Sequence, residues 1–210
     1  MKNKLAAIAV AAAMLVGCSP DELEVSILTS DIQKAQSGSY GMASATATFD
    51  SGMNDVKEKF PQIRAKVMPY LGKSGQMILR SDKIVVKFDI PVVSGKFSGA
   101  LETTPLAKLV LDGDKLKLES TSKLKALNSE LSDIDFSLGA DLKAKHLVFN
   151  ISGDTPEPCK VKATAVFVDG EPKVTYAASV ADGDSVDIEF RCEGESSIYS
   201  MLDPFIEIVK

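Results

Sequence analysis

Three cysteines and one histidine are the residues of this 210-residue chain best suited to act as nucleophile, soft metal ligand or proton shuttle. His146 sits between Lys145 and Leu147 in a strand-like run. A catalytic imidazole needs a nucleophile oriented beside it, and no G-x-S-x-G stretch supplies one, so His146 reads as a surface or bulge residue. The acidic stretches "LDGDK", "SGDTPE", "VDGEP" and "ADGDS" lack the D-x-[DN]-x-[DN]-G spacing and the Glu at position twelve of a calcium loop. Asp-Gly is the ordinary hairpin pair. Gly72-Lys73-Ser74 lacks the first glycine of a phosphate loop. One histidine and two body cysteines make a dedicated zinc site a poor expectation. Carboxylates alone serve glycosidases, but no spacing picks out a pair. The expectation is therefore no catalytic residue, no metal, no cofactor and no enzyme.

Cys18 has a different chemistry. The chain opens Met-Lys-Asn-Lys, and Leu5 to Val16 runs apolar without a charge. That run is too short for a spanning helix of roughly 20 residues and fits a secretory signal peptide. It closes on Leu15-Val16-Gly17-Cys18: Leu three before the cysteine, a small residue directly before it. This resembles the lipobox of bacterial lipoproteins processed by signal peptidase II. The resemblance covers about the first 20 residues and names a processing class. It implies that residues 1–17 are removed, that the Cys18 thiol carries diacylglycerol, and that its amino group is acylated, with palmitate a typical chain. The thiol suits thioether formation because its thiolate is the nucleophile. Ser19 after the cysteine implies sorting to the outer membrane, facing the periplasm or the cell surface.

Without the first 17 residues, 193 remain, and without Lys2 and Lys4, 22 Lys and Arg stand against 29 Asp and Glu, a net −7. That balance argues against nucleic acid as the main partner, since phosphate binding relies on clustered cations. It also argues against the body lying flat on anionic lipid. Residues 18–22 read as the lipidated cysteine and a short stalk, and residues 23–210 as a single mostly β domain.

The elements that must position any site follow from periodicity. "LEVSIL" (Leu23 to Leu28) alternates as a half-buried strand. Thr29-Ser30-Asp31 offers N-cap groups for a helical turn ended by Gly38. "ASATATF" alternates Ala43, Ala45, Ala47 and Phe49 with polar residues. Met53, Val56, Phe60, Ile63, Val67 and Leu71 fall three or four apart, predicting one main amphipathic helix near residues 52–71. Pro61 kinks it or opens a second segment, and Pro69 and Gly72 end it. From Lys83 onward the reading is nearly all strand. "KIVVKFDIPVV" puts Ile84, Val86, Phe88 and Ile90 on one face, and "KLVLDGDKLKLES" reads as a hairpin turning at Asp112-Gly113. "DIDFSLGADLKAKHLVFNIS" alternates with a parity shift at Lys145-His146, a bulge or break. Residues 159–190 read as three strands joined at Asp169-Gly170 and Asp182-Gly183, and the chain ends with a short helix stopped by Pro204 and a last strand. The fold class is mainly β (α+β): an antiparallel sheet in meander order, closed as a sandwich, a barrel or a helix-backed sheet. Lys115/Lys117, Lys123/Lys125 and Lys143/Lys145 fall at period two on solvent faces of strands. They read as edge protection, or more sharply as a patch for anionic headgroups or an acidic partner.

Cys159 and Cys192 share parity with apolar neighbours, and an exported domain with an even pair invites a disulfide. In a plain three-stranded meander the two would lie about 25 Å apart at roughly 3.3 Å per residue. A disulfide needs Cα atoms within about 7 Å. Either the third strand leaves the meander and lies antiparallel to the first, or the thiols stay free. The oxidising compartment favours the bond, and closing a loop of about 33 residues would contribute roughly 3–4 kcal/mol.

Two functions remain. The first is a non-enzymatic envelope lipoprotein, anchored through Cys18, that binds another envelope protein, as in assembly or phage-type receptor blocking. The second is a carrier or sensor of an apolar, lipid-like ligand, with the one-face-apolar strands and the 52–71 helix wrapping a cavity.

Overall fold

The computed structural model describes residues 19–50, 54–101, 105–135, 138–191 and 203–209. In chain order the elements are β1 (Glu22–Leu28), α1 (Thr29–Gln36), β2 (Tyr40–Asp50), α2 (Asn54–Val67), β3 (Gln76–Arg80), β4 (Lys83–Ser94), β5 (Ala107–Asp112), β6 (Lys115–Ser120), α3 (Ser122–Ser132), β7 (His146–Ser152), β8 (Cys159–Val168), β9 (Glu171–Val180), β10 (Ser185–Arg191) and β11 (Ile206–Val209). Nine strands form a closed barrel in the order β10-β7-β1-β2-β4-β5-β6-β11-β8, sealed where Glu189 of β10 pairs with Phe167 of β8. Of the expected alternatives, the barrel is the one adopted. β3 adds to β4 and β9 to β8 outside this ring.

Alternation in the sequence becomes an inward face. Leu23, Val25 and Ile27 of β1, Ala43, Ala45 and Ala47 of β2, Phe88 and Ile90 of β4, and Leu147, Phe149 and Ile151 of β7 are all buried in one core. Alanine in β2 is a weak strand former, but its small side chains leave interior space for the larger residues of the neighbouring strands. Phe149 and Phe190 meet edge to face across β7 and β10, ring centroids 6.1 Å apart.

The ladder is mixed, not the antiparallel meander expected. β1 runs parallel to β7, and β4 parallel to β5. The connection over 95–106 supplies the dozen residues that parallel neighbours need. The hairpins at β5–β6 and β8–β9 form as expected, the latter with Asp169 (φ 53°) and Gly170 (φ 77°) both left-handed, as a type I′ turn requires. Asp182-Gly183 joins β9 to β10 without making a hairpin of them. β10 instead pairs along its whole length with β7.

Other expectations are corrected by local chemistry. The 52–71 helix runs as α2 through Pro61 and continues as a 3-10 turn over Met68–Tyr70, while Met53 lies outside the described residues. Lys123 and Lys125 sit on a helix, α3, not on a strand. Leu124, Leu127 and Leu131 face inward at spacings of three and four, and the Thr121 hydroxyl caps it by accepting from Lys123 N at 3.1 Å. Of the strand expected over 133–145, the described residues form none. The Asn128 amide takes both backbone groups of Ala140, accepting from its N–H at 2.7 Å and donating to its carbonyl at 2.9 Å. The strand begins only at His146, so the parity shift marks a break. In β8, Ala165 is left-handed (φ 54°) and drops out of the ladder with β9, and buried positions pass from Val161 and Ala163 to Val166 and Val168. The expected inward faces of Ala165 and Phe167 are therefore turned outward. Of the expected C-terminal pieces the strand is present as β11, and the short helix lies outside the described residues.

α1 begins at Thr29, earlier than its own cap groups suggest, because the cap comes from far along the chain. Leu28 stands at the N-cap with no side-chain bond. The Asp154 carboxylate accepts from Ser30 N at 2.8 Å, Ser30 Oγ at 2.6 Å and Thr29 Oγ1 at 3.0 Å. The helix then lies so close on β2 that a Cβ on Gly41 would stand 2.4 Å from Asp31 Cβ. The hydrogen bonds from Ser30 outweigh the opposing effect of burial and hold the Asp154 carboxyl below its ordinary range. A depressed pKa contributes stability above the unfolded value that is lost as pH falls through the folded one. Asp154→Asn is therefore expected to lower the urea midpoint at pH 7, with the gap to the wild type closing below about pH 4. A gap independent of pH would refute the role of the charge.

Candidate functional site

Register sorts the barrel into two ends. Glu22 pairs with Thr48 and His146, Asp50 with Lys83, and Arg191 with His146, so the start of β1, the end of β2 and the starts of β4 and β7 share one end. α1, which joins β1 to β2, lies at the other.

An apolar pocket of about 100 Å³ occupies the first end. The barrel contributes Ala47 and Phe49 of β2, and Ile84, Val86 and Phe88 of β4; the cover contributes Val56, Ile63 and Val67 of α2, Leu124, Leu127 and Leu131 of α3, and Leu142 before β7. The pocket exists because β4 has one edge shared by two strands. β3 pairs with its first half and β5 with its second, and α2 and α3 fill the fork between them. The helices are joined on their outer side by polar contacts: Lys59 with Asp135, Lys66 with Glu130 at 3.4 Å, and Tyr70 Oη donating to Glu130 at 2.5 Å. The Tyr70 hydrogen bond lowers the Glu130 pKa and raises that of Tyr70. The lining is apolar apart from Asp50, which ends β2 at the rim of the same pocket.

The chain enters the barrel at this same end, already fastened. Pro20 is buried and its carbonyl accepts from Lys145 N at 3.1 Å. Asp21 N donates to Thr48 O at 2.8 Å, and Asp21 O accepts from His146 N at 3.0 Å. The Asp21 carboxylate is held between Lys83 at 2.9 Å and Lys145 at 3.1 Å. Burial pushes its pKa up, but the two ammonium groups outweigh that and leave it below the usual range. Residues 20–22, expected as stalk, are thus part of the body.

The other sequence-marked residues do not gather at the pocket. Leu15, Val16, Gly17 and Cys18 lie outside the described residues. Cys159 opens β8 at the far end, buried with a free thiol whose pKa burial raises. Its expected partner, Cys192, lies outside the described residues, one past the end of β10. β10 does leave the meander, but its one pairing with β8, Glu189 to Phe167, lies toward the first end with Arg191, whereas Cys159 opens β8 eight residues before Phe167. His146 lies between Glu22 and Glu189, 3.2 Å from each, and no group of three or more metal-ligating side chains occurs among the described residues. A larger cleft of about 950 Å³ at the far end is lined by Gln33, Lys96, Asp112, Glu157 and Lys160 among others, a lining that carries both signs of charge. The pocket itself was only half visible in the sequence. The α2 stripe marked one wall, whereas the α3 wall was signalled by Leu124, Leu127 and Leu131 and was missed.

Comparison with protein-family models, with curated proteins and with solved structures finds no match to this chain.

Leu127 is almost fully buried and lines the pocket. Leu127→Ala is expected to cost about 3–5 kcal/mol in urea unfolding, toward the upper part of the range for such truncations, because the new void merges with one already present and cannot collapse. A loss below about 1 kcal/mol would mean that α3 does not pack as described.

Proposed function

We propose that this protein is a non-enzymatic, membrane-anchored lipoprotein of the bacterial cell envelope that binds an apolar, chain-like ligand in the α2–α3 pocket. The observation that carries the reading is a pocket lined by hydrocarbon side chains from both the barrel and its helical cover, at the end of the body where the chain emerges. Its volume of about 100 Å³ is below the roughly 150 Å³ that holds benzene in an engineered core cavity. The enclosed part therefore fits a narrow chain end, the rest of the ligand lying between the helices. The anchor rests on Leu15-Val16-Gly17-Cys18 and its resemblance to the lipobox. Outer-membrane sorting, as Ser19 suggests, belongs to the same proposal. Two or more acyl chains hold a protein on a bilayer where one holds only reversibly.

Binding of another envelope protein remains a second reading, favoured by the outer edge of β9. No described strand pairs with it, and Val174 on it is 89% exposed. Such an edge is a template for an added strand.

Native mass spectrometry of the body, exported behind a non-lipoprotein signal with Cys18→Ala, tests the ligand. A hydrocarbon-rich adduct is expected, and Leu131→Trp, which fills the pocket, is expected to abolish it while the fold persists. A body that is free of adduct in every preparation, and takes up no added fatty acid, would overturn the reading. For the anchor, intact-mass analysis of the chain extracted from membranes is expected to show residues 1–17 absent and diacylglycerol on Cys18. An unmodified Cys18 would refute lipidation.

A further inference from the structure

Where the chain leaves the body fixes which way the body faces. Only Ser19 stands between Cys18 and the buried, hydrogen-bonded Pro20, and two residues of extended chain span at most about 7 Å. A lipid on Cys18 therefore holds the pocket end against the bilayer, with no linker to let the barrel turn over. We infer that this end is a membrane-docking face, with α2 and α3 resting on the bilayer that holds the anchor, and that the pocket takes an acyl chain of a lipid from that bilayer. The inference rests on the proposed anchoring and apolar binding, and adds the direction and the source of the ligand.

Charge agrees with this orientation. A net-acidic body is repelled by anionic lipid, but the acid excess is not at this end. Exposed Lys57, Arg64 and Lys66 of α2, Lys125 of α3 and Lys143 are balanced there by exposed Glu22, Asp50, Glu58, Asp82 and Asp133. The local surface is not acidic, although the whole chain carries −5. The far end, with α1 and the open cleft, then faces away from the membrane.

The chain has no tryptophan, so one introduced Trp reports its own depth. The lipidated mature protein is reconstituted into phosphatidylethanolamine–phosphatidylglycerol vesicles, with and without bromine on the lipid acyl chains. Trp replaces partly buried Phe60 on α2 in one variant, exposed Ala126 on α3 in a second and exposed Gln36 on α1 in a third. Brominated lipid is expected to remove at least half of the emission of Phe60→Trp and Ala126→Trp and to leave Gln36→Trp unchanged. Protein released from those vesicles is expected to retain an adduct with the bromine isotope pattern in its native mass spectrum. Ala126→Trp lies on the surface and keeps the test intact if Phe60→Trp folds poorly. Quenching of Gln36→Trp alone, or of none of the three, overturns the orientation, and absence of a brominated adduct overturns the source of the ligand. Failure of this inference is separable from failure of the proposed function. In the first case the unanchored Cys18→Ala body still binds cis-parinaric acid in solution, and in the second it does not.

Discussion

The structure depends on the forked edge of β4. Along one edge, Lys83 to Val93 pair continuously with β2. Along the other, the first half belongs to β3 and the last three residues to β5. A barrel wall that divides in this way leaves a gap lined by inward side chains, and apolar surface in a gap must be covered. The cover is α2 and α3, and that is why the two helices with apolar inner faces lie together at one end and why the core continues between them as a pocket. Moving the gap would move the helices and the pocket with it.

The rest of the ring is arranged so that this end is firm. β1 lies between β2 and β7, antiparallel to one and parallel to the other, and its leading residues continue both ladders as far as Pro20. The opposite end is closed by α1, whose cap is Asp154 from the connection after β7. Each end is thus secured by a contact between residues more than a hundred positions apart, so neither end forms before the two halves of the chain meet. Such topologies are slow to fold, because loop closure must precede the contacts that reward it.

Much of this was legible in the residues. Period-two alternation placed β1, β2, β4, β5 and β6, Asp-Gly pairs marked two true hairpins, and the Val56–Leu71 stripe marked α2. What was not legible was decided by non-local contacts or by single residues. Nothing local says that β7 pairs with β1, since parallel neighbours meet through a long connection. Asn128 suppressed the strand expected before His146 by taking up Ala140, a contact invisible until α3 is in place. Ala165 turned over the face of β8 by adopting a backbone region that sequence pattern assigns to glycine or asparagine. α3 is the instructive omission. Its leucines at 124, 127 and 131 carried a helical period, but the lysines at 123 and 125 echoed the period-two lysines of β6 and drew the eye to a strand.

On the proposed anchor, firmness at the first end of the barrel would bear on ligand exchange. On a long flexible tether a barrel samples all orientations, and its pocket meets water more often than lipid. Here the strand that begins the barrel is continuous with the residues that follow Cys18, and the Lys83–Asp21–Lys145 cluster holds that junction by charge as well as by backbone. Exposed charge pairs are individually weak, but these reinforce a ladder already made, so the carboxylate is positioned without an entropic cost of its own. On the proposed anchor and ligand, a lipid chain passing between the bilayer and the pocket would cross the α2–α3 seam, and exchange would require Lys59 to part from Asp135 and Lys66 and Tyr70 to part from Glu130. In that orientation headgroups would compete for the same charges, so this polar strap would be weakest at the membrane, with the apolar lining behind it.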